Sequence, residues 1–547
     1  MYERKGKFFS SPSTGGLAPI LPREDESPSS QYRIGDNAYS EQDEEAAYQA
    51  TEASWESQNF FSELTASDLE PSVSHVEDDA KECSGNLVQV VNQDHLQFQN
   101  FGCNNIARLC FIGTEISNIN YMVRQRSQHP RDDTIHHLPS RQLARKCTAH
   151  NPDRIPPEAF ALPEKALVDE LIHAYFSHVN CGWPIVDEED FMTKYNARDS
   201  RNPPALTLLH AILLVGAHVL SRQRNDVAEL KATFFSRAKT LLDARFEQDR
   251  TMHLQVALLM TWHSDGAEDI LANSWQWVGH AARIALGLGM HRDSASSNLL
   301  PVYKRAWVRL WWVLVQFDVL VSVAYGRPQA LNIDDSDVPT LTDAHFEGIP
   351  HAQRDFVIQH VRLCIILSKA MKQRGSLRSS PHANIQAIKQ VDEALADFAM
   401  RLPEHMRLSL SNVDVWQSTL HLTYNNFLIL LHRAPQNEIR DPPTSESLSD
   451  LEICRDSAMT VTLILEGLRT NGTLSGLWLS GINSLFTAIL QVSTELDSNN
   501  PVVASKSLRR FDSLLLCLRE LSRDWLYAMS VLRLFEDRAS KDRQRQH

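Results

Sequence analysis

Eight cysteines are the residues of this 547-residue chain best suited to metal or redox chemistry, and their spacing decides what they can do. They stand at Cys83, Cys103, Cys110, Cys147, Cys181, Cys364, Cys454 and Cys517. A small zinc module needs its thiolates clustered, because the metal supplies the folding energy of so short a segment. Cys103 and Cys110 are separated by six residues, but no C-x2-C pair occurs, so these cysteines cannot build a binuclear cluster. Scattered thiols of this kind are expected to be buried and reduced. The other groupings are thinner. Ser236 to Lys239 matches S-x-x-K without the partner motifs of that enzyme class, and Gly287 with Gly289 is half of a G-x-G-x-x-G that closes a helix rather than following a strand. His136-His137, His263 with Asp265, and the run Asp334, Asp335, Asp337 lack ligand spacing and read as solvated or structural. No G-x-S-x-G, G-x-x-x-x-G-K or H-E-x-x-H is present. Neither an enzyme nor a resident metal is expected, and no side chain is assigned to catalysis, metal binding or DNA contact.

The elements that must position these residues are helical. Gly and Pro number 20 and 24, about 8% of the chain against a usual level of roughly 12%, which favours long helices over turn-rich sheet. Apolar periodicity predicts helices at about 165–180, 205–223, 226–247, 252–264, 270–290, 301–325, 351–373, 384–401, 414–433, 446–470, 474–494 and 503–535. Breaks are expected at Pro203-Pro204, Gly326-Arg327-Pro328, Gly375 to Pro381 and Pro435 to Pro443. No fixed internal period is present, so an irregular all-α array of many helices is the expected fold rather than a named solenoid. Trp275, Val278, Ala282, Ala285 and Leu286 recur at helical spacing, as do Trp307, Leu310, Trp311, Leu314, Val315 and Val319. Asp318 lies among apolar residues and needs a partner if buried, for which Arg283 and Arg327 are the expected candidates.

The segment from Trp275 to Pro339 resembles the middle homology region of fungal zinc-cluster transcription factors. The resemblance is carried by Gly279, Ala282, Arg283, Ala285, Leu288, Gly289, His291 and Arg292 on one helix and its exit. It continues with Arg309, Trp311, Trp312 and Asp318, then Gly326-Arg327-Pro328, Asp334, Asp335, Asp337 and Pro339. Upstream, LVDELIHAYFSHVNCGWPIVDEEDF (Leu167 to Phe191) resembles that region's opening helix, and LTLLHAILLVGAHVL (Leu206 to Leu220) its buried second helix. CFIGTEISNINYMVRQR, from Cys110, resembles the lead-in such regulators place before it.

The resemblance implies a helical regulatory body of a nuclear regulator of RNA polymerase II genes for metabolic or biosynthetic pathways. Its implied partners are coactivators or the transcription machinery, a second subunit identical or different, and a small-molecule effector. DNA would be reached indirectly or through a missing six-cysteine module, which in the family holds zinc beside a basic helix. A natural variant and a sequence lacking that module both fit. The alternative reading is a helical adaptor or co-regulator without DNA binding of its own.

The net charge of −14 is concentrated at one end. Residues 1–82 hold 18 acidic and six basic side chains, a net −12, and lack apolar periodicity, so they are expected to be disordered. From Asp36 to Asp79 there are 13 acids and no Lys or Arg. Trp55, Phe60, Phe61 and Leu64 within Thr51 to Glu70 are candidate anchors of an acidic activation segment; a solvated tail is the plainer alternative. Residues 83–160 read as lead-in and basic linker, 161–345 as the middle homology core, 346–535 as helical continuation and 536–547 as a polar tail. The nearly neutral remainder offers no broad attraction to phosphate backbones. Ala205 to Leu220 and Trp311 to Val323 are read as too short to span a bilayer, so no membrane partner is expected.

Overall fold

The first half of the structure, a computed structural model, is organised by helices whose ends are marked in the sequence and whose order places one apolar helix at the centre. It describes residues 155–546 except 198–202, 248, 264–269, 272, 298, 375–380, 410–412, 434–444 and 497, together with Phe111, Gly113, Asn118 and Tyr121. The anchors Trp55, Phe60, Phe61 and Leu64, the four cysteines up to Cys147, and His136-His137 lie outside the described residues.

Helix α1 (Lys165–Tyr175) runs on through a π-helical turn at Phe176–Asn180. The turn ends on Asn180, whose Oδ1 accepts from Tyr175 Oη and from the N–H groups of Ile185 and Val186, while Nδ2 donates to the Val186 carbonyl. That one buried side chain shapes the Pro-Ile-Val corner. The corner leads into α2 (Glu188–Ala197), a helix absent from the sequence expectation. Phe191 is its buried residue, so it carries little of the apolar periodicity that would reveal it.

Helix α3 (Leu206–Leu220) is buried along nearly its whole length and packs against α1, α4 (Asn225–Asp243) and α5 (Arg250–Met260). Gly216 permits the approach to α1, because a Cβ there would sit 2.2 Å from the Leu171 carbonyl oxygen. Asp249 starts α5 by accepting from the N–H groups of Thr251 and Met252.

Helix α6 (Ser274–Leu288) and α7 (Pro301–Tyr325) end alike, on glycines in the left-handed region, Gly289 at φ 76° and Gly326 at φ 62°. In each case the next N–H reaches back over the last turn, Met290 to the Ala285 carbonyl and Arg327 to that of Ser322, which satisfies carbonyls the helix leaves open. The buried face of α6 differs from the expected stripe: Trp277, Val278, Ala281, Ala282, Ala285 and Leu288 are buried, while Trp275 and Leu286 are only half-buried. The six residues expected to be apolar on α7 are all buried. At 25 residues, α7 is long and apolar enough to cross a membrane by length and composition, a correction to the expectation that its apolar run is too short. In the fold, 89% of that window is buried inside the protein.

Beyond it follow α8 (Arg354–Arg374), α9 (Pro381–Met400), α10 (Val415–His432), α11 (Ser445–Thr470), α12 (Leu479–Ser493), α13 (Pro501–Leu521) and α14 (Leu526–Gln546). Helix α7 packs against α6, α8 and α12, and α10 against α8, α11 and α12, so residues on both sides of position 345 share one core. Trp183 joins them, with its ring 5.2 to 6.4 Å from those of Phe317, Phe356, His360, Trp416 and Trp478. The break between α13 and α14, expected as one helix, is imposed from far away in sequence. Asp524 at the break accepts from Ser221 Oγ (2.8 Å) and Arg222 Nε (3.0 Å), and its carbonyl accepts from Lys231 Nζ. Among the described residues the regular elements are helices, as expected for an all-α array.

Candidate functional site

The residues that carry the resemblance come together around α7, and most of them hold the fold. Asp318 is buried, but its partners are neither Arg283 nor Arg327, which corrects the expected pairing. Its two carboxylate oxygens accept from the N–H groups of Ala330 (3.0 Å) and Leu331 (2.9 Å), which turns the chain back along α7 after Gly326. Burial pushes its pKa up to about 6 against those two hydrogen bonds. Arg283 is exposed on α6, and Gly279 is half-buried with no heavy atom within 4 Å of where a Cβ would stand. Arg327 instead lies over the rings of Trp275 (5.0 Å) and Tyr325 (5.4 Å), and the Pro328 carbonyl accepts from Trp275 Nε1. The Gly-Arg-Pro exit is therefore a clasp between the end of α7 and the start of α6.

A second clasp closes the other ends of the pair. Arg292 donates through Nε and Nη2 to Asp337 Oδ2 at 3.0 and 2.9 Å, Asp293 N–H donates to Asp337 Oδ1, and Asp337 N–H donates to the His291 carbonyl. The His291 ring sits 5.2 Å from Phe111 and 6.4 Å from Trp311, and Phe111 N–H donates to the Gly287 carbonyl at 2.9 Å. One residue of the lead-in is thus docked on the helix end that carries the motif. Trp312 Nε1 donates to the Pro339 carbonyl (2.8 Å), and Trp311 is fully buried. Asp334 pairs with Lys372. Among the described residues no group of three His, Cys, Asp or Glu side chains could hold a metal ion.

What the motifs leave open is a cavity of about 760 Å³ beside the first half of α7. Its walls are the corner from Cys181 to Asp187, the first turns of α2, the loop at 347–352, and α7 from Val302 to Leu310. Its size suits a small molecule, and its lining mixes apolar surface with charge. Arg305 and Arg309, four apart on one face of α7, both line it. The Arg309 side chain is 5% exposed; it donates through Nη1 to the His345 carbonyl, and its nearest acid, Asp187, is 3.9 Å away. Desolvation pulls its pKa down to about 10 against the opposing charge of Asp187. Cys181 also lines the cavity, with Sγ donating to the Ser177 carbonyl, and burial pushes its thiol up to about 11. It is a protonated packing residue, not an activated nucleophile. Ser236 and Lys239 form no catalytic pair: Lys239 bridges to Asp243, and the Ser236 carbonyl accepts from Thr240. Arg309 was legible as part of the motif. The cavity was not, since its walls come from segments far apart in the chain.

The family model for the fungal specific transcription factor domain matches residues 172–428, a span that begins inside α1, ends inside α10 and takes in both motif clasps and the cavity lining. This chain carries a fungal specific transcription factor domain. The domain's likeness to curated proteins extends to most of the chain. It is 48% identical over 439 residues to the acetamidase regulatory protein of Aspergillus fumigatus, covering 80% of this chain and 56% of that protein. The acetamidase regulatory protein of Emericella nidulans is 47% identical over 432 residues, covering 79% and 54%. Cutinase transcription factor 1 alpha of Fusarium vanettenii is 33% identical over 457 residues, covering 78% and 49%. The chain spans about half the length of these relatives. No solved structure matches it. The fungal transcription factor domain is thus a helical body in which the recognisable motifs brace one central helix, with a cavity on that helix's flank.

Proposed function

We propose that this chain regulates transcription of metabolic genes in the nucleus, with the helical domain receiving a small-molecule signal and the acidic segment from Thr51 to Glu70 delivering the output. The observation that carries the reading is the extent of the likeness: 439 residues at 48% identity to a regulator named for acetamidase, far beyond the motif segment. Genes for enzymes that break down small metabolites, of which acetamidase is one, are the proposed targets. RNA polymerase II coactivators are the proposed partners of the acidic segment, whose aromatic anchors stay solvated among like charges until a hydrophobic groove accepts them. DNA is reached through a partner chain, identical or different, or through a cysteine module outside this sequence, with zinc belonging to that module alone.

The adaptor reading has its own support, since the chain after Glu82 is close to neutral and contains no paired cysteines. Fusing the full chain to an unrelated DNA-binding module separates the two. A regulator changes transcription of a reporter bearing that module's site; an adaptor without transcriptional output leaves the reporter at the level of the module alone.

A further inference from the structure

The two arginines on the cavity wall are poorly matched by the acids around them. Asp187, the acid nearest Arg309, accepts through Oδ1 from Asp190 N–H at the start of α2. Its Oδ2 lies 3.9 Å from Arg309 Nη2, beyond hydrogen-bond length. Arg305 is four residues away on the same face of α7, and its Nη1 lies 3.5 Å from Glu347, whose side chain is 74% exposed to solvent. The Nε of Arg305 is buried and has no hydrogen-bond partner. Both guanidinium groups line the cavity with acid contacts of 3.5 and 3.9 Å, longer than a charge-assisted hydrogen bond, and a carboxylate entering the cavity fits such a fork with two parallel hydrogen bonds.

The rest of the lining limits what else that ligand can carry. Lys194, the other base on the cavity wall, is taken by Asp190 at 2.6 Å. Glu188, Glu189 and Asp249 add negative charge to the same lining. A ligand with two or three negative charges would meet these acids at short range, whereas a single carboxylate meets the two arginines and leaves an apolar remainder for Trp307, Leu310 and Ile349. We propose that this cavity binds a small molecule bearing one carboxylate, gripped by Arg305 and Arg309, with its apolar body against Trp307. This deepens the regulator reading by naming the chemical class of the signal, and it rests on that reading only for the consequence of binding.

The test is thermal unfolding of the purified full chain with the sodium salts of the straight-chain monocarboxylates from acetate to hexanoate, alongside sodium phosphate and n-butylamine hydrochloride. The expected result is a saturable rise in melting midpoint with at least one carboxylate, and none with phosphate or butylammonium. Arg305→Gln, at a half-buried position, should melt normally without ligand and weaken carboxylate binding by about tenfold or more. Arg309→Lys keeps the charge but loses the fork, and should weaken it similarly. No saturable shift with any carboxylate, an equal shift with phosphate or butylammonium, or undiminished binding by Arg305→Gln overturns the proposal. Binding without any effect of the tethered chain on a reporter would instead count against the regulator reading alone.

Discussion

At the scale of single residues, the buried polar groups of this protein are structural devices with defined protonation states. Asp318 holds two backbone N–H groups that no other group reaches. Replacing it with Ala leaves both unpaired, so Asp318→Ala should lower the unfolding free energy by about 2 to 4 kcal/mol in a urea titration. An unchanged midpoint would show that the chain after Gly326 finds other partners. His210 and His360 are buried, and desolvation lowers both to a pKa of about 3; the first contacts the Ala159 carbonyl, the second Gln316 and Thr423. Because these folded values lie below the usual pKa of about 6.5, the unfolded chain binds more protons between pH 6.5 and 3. The stability held by the neutral rings is complete above that window and falls with pH. Each ring should cost about 2 kcal/mol between pH 6.5 and 5. Asp318, raised to about 6, acts in the opposite sense, its folded state gaining a proton as pH falls through that value. His218 is lowered by burial as well, and Glu247 is raised, so the buried histidines outnumber the raised carboxyls; the melting temperature should drop from pH 7 to pH 5, and His360→Gln should reduce the drop. A flat profile would contradict the buried neutral assignment.

At the scale of elements, the glycines that end α6 and α7 make a matched pair with one difference. Both have a positive φ, which costs an Ala roughly 1 to 2 kcal/mol. Beside Gly326 nothing lies within 4 Å of where a Cβ would stand, whereas beside Gly289 the Phe111 ring is at 2.9 Å. Gly326→Ala should therefore cost only the backbone term, while Gly289→Ala should cost more and loosen Phe111 from its seat. Adding Phe111→Ala to Gly289→Ala should recover part of the excess in a double-mutant cycle; full additivity would show that the two do not touch. The same elements show what was legible beforehand. Glycine and proline punctuation marks the limits of α7, and its apolar face follows from period alone. Helix α2 was missed because one buried Phe leaves no period, and the break at Asp524 because its cause is Ser221, Arg222 and Lys231, some 300 positions earlier. The partners of Asp318 differ from the expected arginines for a related reason: opposite charges are visible in a sequence, and backbone N–H groups turned toward a carboxylate are not.

At the scale of the whole molecule, most of the motif residues hold the domain together, and Arg309 is the one of them that lines the cavity. The Trp, Asp, Gly-Arg-Pro and His-Arg residues brace α7 from both ends, and Trp311 is the largest of the fully buried side chains. Trp311→Ala should cost about 3 to 5 kcal/mol and yield insoluble or rapidly degraded protein, whereas an unchanged melting profile would mean that α7 is not the central support. The cavity on its flank was beyond sequence reading, since it is formed by a corner near Asn180, one face of α7 and a loop near Ile349 that meet only on folding. As proposed, these parts belong to a regulator whose output comes from the acidic segment. The direct measurement is reporter transcription with the full chain fused to an unrelated DNA-binding module, compared with the same fusion carrying Ala at Trp55, Phe60, Phe61 and Leu64. The parent fusion should activate and the fourfold variant, which keeps every acid, should not; no activation by the parent, or undiminished activation by the variant, would rule out output through the acidic segment.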